Sequence, residues 1–222
     1  MNRNAPGYVL GFMAVLCTVF GLGVSVVHYA TRDMQAANER LNHNRAVAAA
    51  FRLEVEGRSP ADYARAMARN LERVYILDET GERTVYRQID EPGRVGFTFS
   101  GMGFWDRIDG FLAFESDRQT VAGLRFFDHQ ETPGLGGRME EPAFLEQFEG
   151  LRIDWDAAAD RRIVINGAAA PAAGHRVDAI TGATQTSTAL MTILNEELER
   201  MRALDLDEIE FQPVAVEPEE SP

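Results

Sequence analysis

The chain has 222 residues, with 35 acidic and 22 basic side chains and a formal net charge of -13. This length suits one domain of roughly 150 residues with appendages, and the negative charge argues against nucleic acid as a partner. All of the basic side chains are arginines. The single cysteine, Cys17, excludes a disulfide within the chain and a metal site built from cysteines.

An uncharged apolar run lies near the N-terminus, from Tyr8 to Tyr29. As a helix, about 22 residues would cover about 33 Å, which is enough to cross the hydrocarbon core of a bilayer. A cleaved signal peptide is the alternative, but its apolar region normally has only about 7–15 residues, and the sequence near Ala30 is a poor cleavage site. We therefore predict a transmembrane anchor over residues 1–30, in contact with membrane lipid.

The sequence after this run predicts helices first and then strands. Residues 31–73 are predicted to form a helical stalk, and its second helix begins at Ser59 with Pro60 in its first turn and ends near Arg73. A hairpin is predicted from residues 74–77 and 84–87, because Gly81 lies between the two runs. Further strands are predicted at residues 95–99, 110–115, 121–127 and 162–165, with a turn at 117–119 and a short helix at 142–148.

These elements predict an α+β fold. A single domain over residues 74–204 would contain an antiparallel sheet flanked by helices, preceded by one transmembrane helix and its stalk. Residues 205–222 are rich in acidic residues and proline. We predict an acidic tail there, with disorder at its end.

A run of small and hydroxyl residues, 178–187, precedes an amphipathic pattern that predicts a helix. The start of a helix exposes unpaired N–H groups and the positive end of the helix dipole, so an anionic group on Thr184 would be stabilised there. Gly182 permits the close approach of another group. The alternative is that Thr and Ser hydroxyls merely cap this helix. Asp178 is interpreted as a cap of the preceding loop, or as a residue that places a metal or substrate during modification.

Two glycine-containing segments are further candidates. Residues 131–137 read Glu-Thr-Pro-Gly-Leu-Gly-Gly, which predicts a tight turn with Leu135 at its tip, where a flat apolar ligand would cover it. The alternative is an ordinary connecting loop. Residues 101–105 read Gly-Met-Gly-Phe-Trp, a close turn in which one aromatic residue faces the core and the other a ligand. The alternative for Trp105 is core packing.

The run from Asp178 resembles the flavinylation motif Asp-x-x-Ser/Thr-Gly-Ala-Thr of the FMN-binding domain family. This domain occurs in the C subunit of the sodium-translocating NADH:quinone oxidoreductase and in the G subunit of the Rnf complex. The resemblance implies that Thr184 carries covalent FMN through a phosphoester, which a flavin transferase installs from FAD with Mg²⁺. Thr181 stands where many members have Ser, which is within the family's range.

The two glycine-containing segments resemble parts of the same family. Its Glu-Thr-Pro-Gly-Leu-Gly segment lines the FMN pocket, and its Gly-x-Gly-Leu/Tyr-Trp segment makes apolar contacts to the ring. Phe104 replaces the family's aliphatic residue or Tyr, and Glu131 and Thr132 are expected near the ring edge. The cofactor-binding residues that the resemblance implies are Thr184, Thr181, Gly182, Ala183, Asp178, Glu131, Thr132, Gly134, Leu135, Gly136, Phe104 and Trp105.

The resemblance also implies a role. The chain would be a single-pass subunit in the plasma membrane, with its soluble domain on the periplasmic side, and would relay electrons beside other subunits on the path from NADH to quinone, coupled to sodium export. We predict no independent turnover, no catalytic residue and no metal site. Trp105, and Gly137 where Asp would otherwise be expected, favour the quinone-oxidoreductase type over the Rnf type. The alternatives are a stand-alone membrane-tethered flavoprotein serving another reductase and a non-redox, membrane-anchored binding module. The isolated histidines are interpreted as structural or surface residues: His28, His43, His129 and His175.

Overall fold

The computed structural model describes residues 6–78, 81–166 and 174–215. The chain divides into two compact units, Met1–Arg40 and Leu41–Pro222. Helix α1 spans Pro6–Ala50, and its apolar stretch from Tyr8 to Tyr29 is exposed throughout. This helix is long and apolar enough to cross a membrane. No break separates the predicted anchor from the first part of the predicted stalk.

Helices and short strands surround one large sheet in the second unit. The helices after α1 are α2 (Pro60–Asn70), α3 (Pro142–Leu145) and α4 (Thr184–Arg202), with 3-10 turns at Gly136–Glu140, Glu146–Phe148 and Ala159–Arg161. The strands are β1 (Leu71–Asp78), β2 (Gly81–Gln88), β3 (Val95–Met102), β4 (Arg107–Phe114), β5 (Val121–His129), β6 (Val164–Asn166), β7 (Arg176–Asp178) and β8 (Gln212–Pro213). These elements confirm the predicted α+β class.

Six of the strands pair in an antiparallel sheet with the order β5-β4-β3-β2-β1-β8. The predicted hairpin is present, with Val74 opposite Val85. Helix α4 packs on one face with Phe97, Phe99 and Leu124. Residues from the end of α1 and from α2 pack on the other face with Tyr86 and Phe111, which gives the sheet two apolar faces.

Helix α2 begins as predicted, because Ser59 and Asp62 form a reciprocal cap. The backbone N–H of Asp62 donates to Ser59 Oγ over 3.2 Å, and the N–H of Ser59 donates to Asp62 Oδ2 over 2.9 Å. The predicted end near Arg73 is wrong. The helix stops at Asn70 because the fully buried Leu71 already pairs with Gln88 in the sheet.

The strand predicted at residues 162–165 does not join the large sheet. It forms β6, which pairs in parallel with β7, so that Ile165 lies opposite Val177. The backbone N–H of Ala179 extends this pairing by donating to the carbonyl of Asn166 over 2.9 Å. The small sheet therefore fixes the segment that leads into α4.

The chain after residue 204 packs on the domain, although the sequence predicted an acidic tail there. Leu206, Phe211 and Val214 are buried, and Arg73 in β1 pairs with Gln212 in β8. The acidic side chains between them face solvent. The acidic composition therefore predicted a tail, although apolar residues among the acidic ones anchor this segment to the domain. The predicted disordered end falls mostly on residues 216–222, which lie outside the described residues.

The buried Tyr86 on β2 predicts a loss of stability in alkali. Its burial raises the pKa of the hydroxyl to about 12, because the phenolate would be charged in an apolar site. The protonated hydroxyl makes its full contribution to stability below a pH of about 10, the ordinary pKa of tyrosine. This contribution is lost as the pH rises through about 12, and between these values the free energy of unfolding falls by about 1.4 kcal/mol per pH unit. Urea unfolding at pH 9 and pH 11 should show this loss in the parent chain and a smaller loss in Tyr86→Phe. Equal losses in the two chains would contradict the assignment.

Candidate functional site

Helix α4 begins at Thr184, the residue that the sequence singled out. The N-cap position belongs to Ala183, and no side chain caps the helix there. The alternative of a Thr or Ser N-cap is therefore wrong. Thr184 is exposed, and Gly182 before it has a φ of +83°, which only glycine adopts without strain. The result is an exposed hydroxyl at a helix start whose first amides lack a side-chain cap.

The hydroxyls of Thr186 and Ser187 are buried, and that of Ser187 supports the loop before α4. Ser187 Oγ accepts a hydrogen bond from the backbone N–H of Ile180 over 3.0 Å and donates to the carbonyl of Ala183 over 3.0 Å. Asp178, predicted to cap this loop, has an exposed side chain, and its backbone N–H donates to Gln147 Oε1 over 2.8 Å. Ser187 thus makes the cap that the sequence assigned to Asp178.

Residues 131–137 form the predicted tight turn. The carbonyl of Thr132 accepts hydrogen bonds from the N–H groups of Leu135, over 3.1 Å, and of Gly137, over 3.0 Å. Gly134 has a φ of +76°. Leu135 is left 47% exposed at the tip of the turn, which is the apolar projection that the sequence predicted.

This turn lies against the start of α4. A Cβ atom placed on Gly182 would lie 3.5 Å from Leu135 Cδ2, so the leucine side chain lies beside Gly182, two residues before Thr184. Two segments that are about 45 residues apart in sequence thus meet at one place, as a shared ligand would require.

The Phe104–Trp105 turn is joined to both segments by the carboxylate of Glu131. Its Oε1 atom accepts hydrogen bonds from the backbone N–H groups of Phe104, at 2.7 Å, and of Trp105, at 3.1 Å. Its Oε2 atom accepts a hydrogen bond from the hydroxyl of Thr186 on α4, at 2.7 Å. Glu131 is only 5% exposed. The three segments therefore share one buried carboxylate, and Glu131 faces these partners rather than solvent.

Both aromatic side chains of this turn face solvent. Phe104 is 52% exposed and Trp105 is 64% exposed, and their rings meet edge to face with centroids 5.0 Å apart. The expectation that one of them points into the core is wrong, as is core packing for Trp105. The turn stays at the surface because the N–H of Gly103 donates to the carbonyl of Asp106 over 2.8 Å, and Glu131 holds the next two amides.

Together these residues suit a flavin mononucleotide. Phe104, Trp105 and Leu135 offer exposed apolar surface for a flat ring, while the uncapped start of α4 at Thr184 suits a phosphate. The partnership of Glu131 with Thr186 was missed by sequence reasoning, because the 55 residues between them carry no local signal for it. A cavity of about 410 Å³ exists elsewhere, at the C-terminal end of α4, lined by Trp155, Met201 and other residues, and it contains none of these motif residues.

Gly136 should be intolerant of a side chain. A Cβ atom there would lie 2.5 Å from both Glu131 Oε2 and Thr186 Oγ1. We therefore expect Gly136→Ala to lower the free energy of unfolding by about 1–3 kcal/mol, as overpacking commonly does. Gly137→Ala is the matched control, since its nearest contact would be 3.2 Å. Urea unfolding of both variants measures the difference, and equal losses would contradict this packing argument.

Known proteins resemble this chain in the part that contains the site. Residues 103–199, which include all three segments except the first two residues of the glycine–aromatic turn, match the FMN-binding domain family. The C subunit of the Na(+)-translocating NADH-quinone reductase from Vibrio anguillarum is 36% identical over 108 residues, which are 49% of this chain and 42% of that protein. The C subunit from Pseudomonas aeruginosa is 39% identical over 99 residues, covering 43% of this chain and 38% of the relative. The chain thus spans about two fifths of the length of these curated relatives.

Two crystal structures share the fold. That of Shewanella oneidensis NqrC superposes with a TM-score of 0.60 at 22% identity, over 72% of this chain and 91% of that one. The C subunit of the Na(+)-translocating NADH-quinone reductase from Parabacteroides distasonis superposes with a TM-score of 0.63 at 21% identity, over 75% of this chain and 92% of that one. Residues 103–199 therefore match the FMN-binding domain family, and the chain shares the fold of these two crystallised proteins.

Proposed function

We propose that this chain is a membrane-anchored flavoprotein that carries FMN through a phosphoester on Thr184. In this proposal it relays electrons as one of the subunits of a Na(+)-translocating NADH:quinone oxidoreductase. The match to the FMN-binding domain family supports the flavin, and the names of the curated relatives favour this complex over the Rnf type.

One observation carries the proposal. Glu131 joins the turn that bears Phe104 and Trp105 to the first turn of α4, and Leu135 lies against Gly182 at the same place. All three segments therefore converge beside an exposed hydroxyl at an uncapped helix start.

Each part of the site has a chemical task. A threonine hydroxyl does not attack a pyrophosphate unaided, so attachment requires a flavin transferase with FAD and Mg²⁺, for which the chain is the substrate. Thr181 and Gly182 form a small, exposed approach to Thr184, while Ala183 is buried in the core. Once FMN is attached, the amides at the start of α4 would hold its phosphate, and the exposed apolar side chains would cover the ring. FMN supplies reversible acceptance of electrons, and the protein positions it.

The N-terminal part of the chain supports a place in the membrane. The exposed apolar stretch of α1 is proposed to cross the plasma membrane once, with the soluble domain on the periplasmic side. Other subunits of the complex would then supply and accept the electrons, and sodium export would be a property of the whole complex.

Covalent flavin on the full chain tests the proposal. The chain is expressed with and without a flavin transferase, and a denaturing gel is scanned for yellow-green fluorescence. We expect a fluorescent band only with the transferase, and a peptide containing Thr184 with the added mass of FMN. A dark band beside an active control substrate would favour the non-redox binding module. A flavinylated chain that does not copurify with other subunits would favour the stand-alone flavoprotein.

A further inference from the structure

We propose that Glu131 is a positioning residue, which locks the Phe104–Trp105 turn to the first turn of α4 and does not itself contact the flavin. This inference rests on the proposed function of the site. It changes the role of Glu131 from the ring-edge residue that the sequence suggested to a buried support behind the site.

The geometry of the carboxylate carries the inference. Both of its oxygens are used inside the protein, Oε1 by the amides of Phe104 and Trp105 and Oε2 by the hydroxyl of Thr186. A carboxylate accepts several hydrogen bonds and donates none when ionised. Three donors converge here, and the side chain is only 5% exposed, so these partners satisfy both buried oxygens.

The surrounding backbone is shaped to this carboxylate. A Cβ atom on Gly103 would lie 2.6 Å from Glu131 Oε1, and one on Gly136 would lie 2.5 Å from Glu131 Oε2. Both glycines therefore leave the space that the two oxygens occupy. Gly103 and Gly136 thus make room for the buried carboxylate, besides taking part in the turns.

The hydrogen bonds of Glu131 to Phe104, Trp105 and Thr186, called the lock below, set the position of the aromatic turn relative to Thr184, the proposed site of flavin attachment. Thr186 is two residues after Thr184 in the same first turn of α4. The other end of the lock holds the backbone of Phe104 and Trp105, whose side chains are exposed. One carboxylate therefore fixes the apolar surface with respect to the point of flavin attachment.

Two variants and a conservative control test this role in the full chain. Thr186→Val removes the hydroxyl that donates to Oε2, and Glu131→Gln replaces one acceptor oxygen by a donor. Thr186→Ser keeps the hydroxyl and should behave like the parent. Val121→Ala, in the buried core, serves as a variant destabilised away from these hydrogen bonds.

The first readout needs no flavin. Amide hydrogen exchange at Phe104 and Trp105 should accelerate about tenfold or more in Glu131→Gln, because a hydrogen bond to a charged acceptor is weakened. The second readout is the fluorescence yield of the attached flavin after transferase treatment. It should rise in Thr186→Val and Glu131→Gln, because the aromatic turn no longer stays against the ring, while mass spectrometry still finds FMN on Thr184.

The controls make the outcome decisive. Unchanged exchange at Phe104 and Trp105 in Glu131→Gln would overturn the lock, as would equal changes in Val121→Ala. Unchanged flavin fluorescence in both lock variants would also overturn it. If the parent carries no flavin, the proposed function fails, and the exchange measurement still decides whether Glu131 holds the turn.

Discussion

Thr184→Ala is expected to abolish covalent flavin while the domain stays folded. Thr184 is exposed at the first position of α4, and the cap position before it is Ala183. Its side chain therefore contributes no N-cap, and Ala is a better helix former than Thr. The free energy of unfolding should change by no more than about 0.5 kcal/mol, as is usual for surface substitutions.

The measurement combines flavin fluorescence on a denaturing gel with peptide mass spectrometry. Thr188→Ala is the matched control, because Thr188 is an exposed threonine one turn further along the same helix. Covalent flavin should remain in this control. A fluorescent band from Thr184→Ala would show that another residue is the acceptor.

Arg83→Met is expected to lower the free energy of unfolding by about 3–5 kcal/mol, because it removes the buried counter-charge of a buried carboxylate. Arg83 on β2 is 6% exposed, and its Nε atom lies 3.3 Å from Oε2 of Glu197 on α4, which is 3% exposed. Arg200 also contacts Glu197 but is more accessible. The pair joins the sheet to the helix that begins with Thr184.

Urea unfolding measures this loss. Arg138→Met is the matched control, because Arg138 pairs with Glu141 on the surface, and exposed pairs typically contribute about 0–1 kcal/mol. The double variant Arg83→Met with Glu197→Leu should recover most of the stability, since apolar residues often replace a buried ion pair without loss. A loss below about 1 kcal/mol for Arg83→Met would contradict the burial argument.

The local signals in the sequence determined much of the fold. Short runs between turn residues predicted five of the six strands of the large sheet, and Ser59 with Pro60 marked the start of α2. The turn at Gly134 and the start of α4 at Thr184 were also predictable. Each of these features depends on neighbours a few residues apart, where the backbone preferences of glycine, proline and helix starts are decisive.

Only the tertiary structure decided which residues of distant segments contact each other. Glu131 finds Thr186 at a separation of 55 residues, and Arg83 finds Glu197 across the interface between sheet and helix. The pairing of β8 with β1 likewise has no local cause, and the exposed Trp105 lies in a turn that the distant Glu131 helps to hold. Hydrogen bonding and burial depend on which groups the folded chain brings together, so residue type and spacing could nominate Glu131 for the site but could not show that it faces inward.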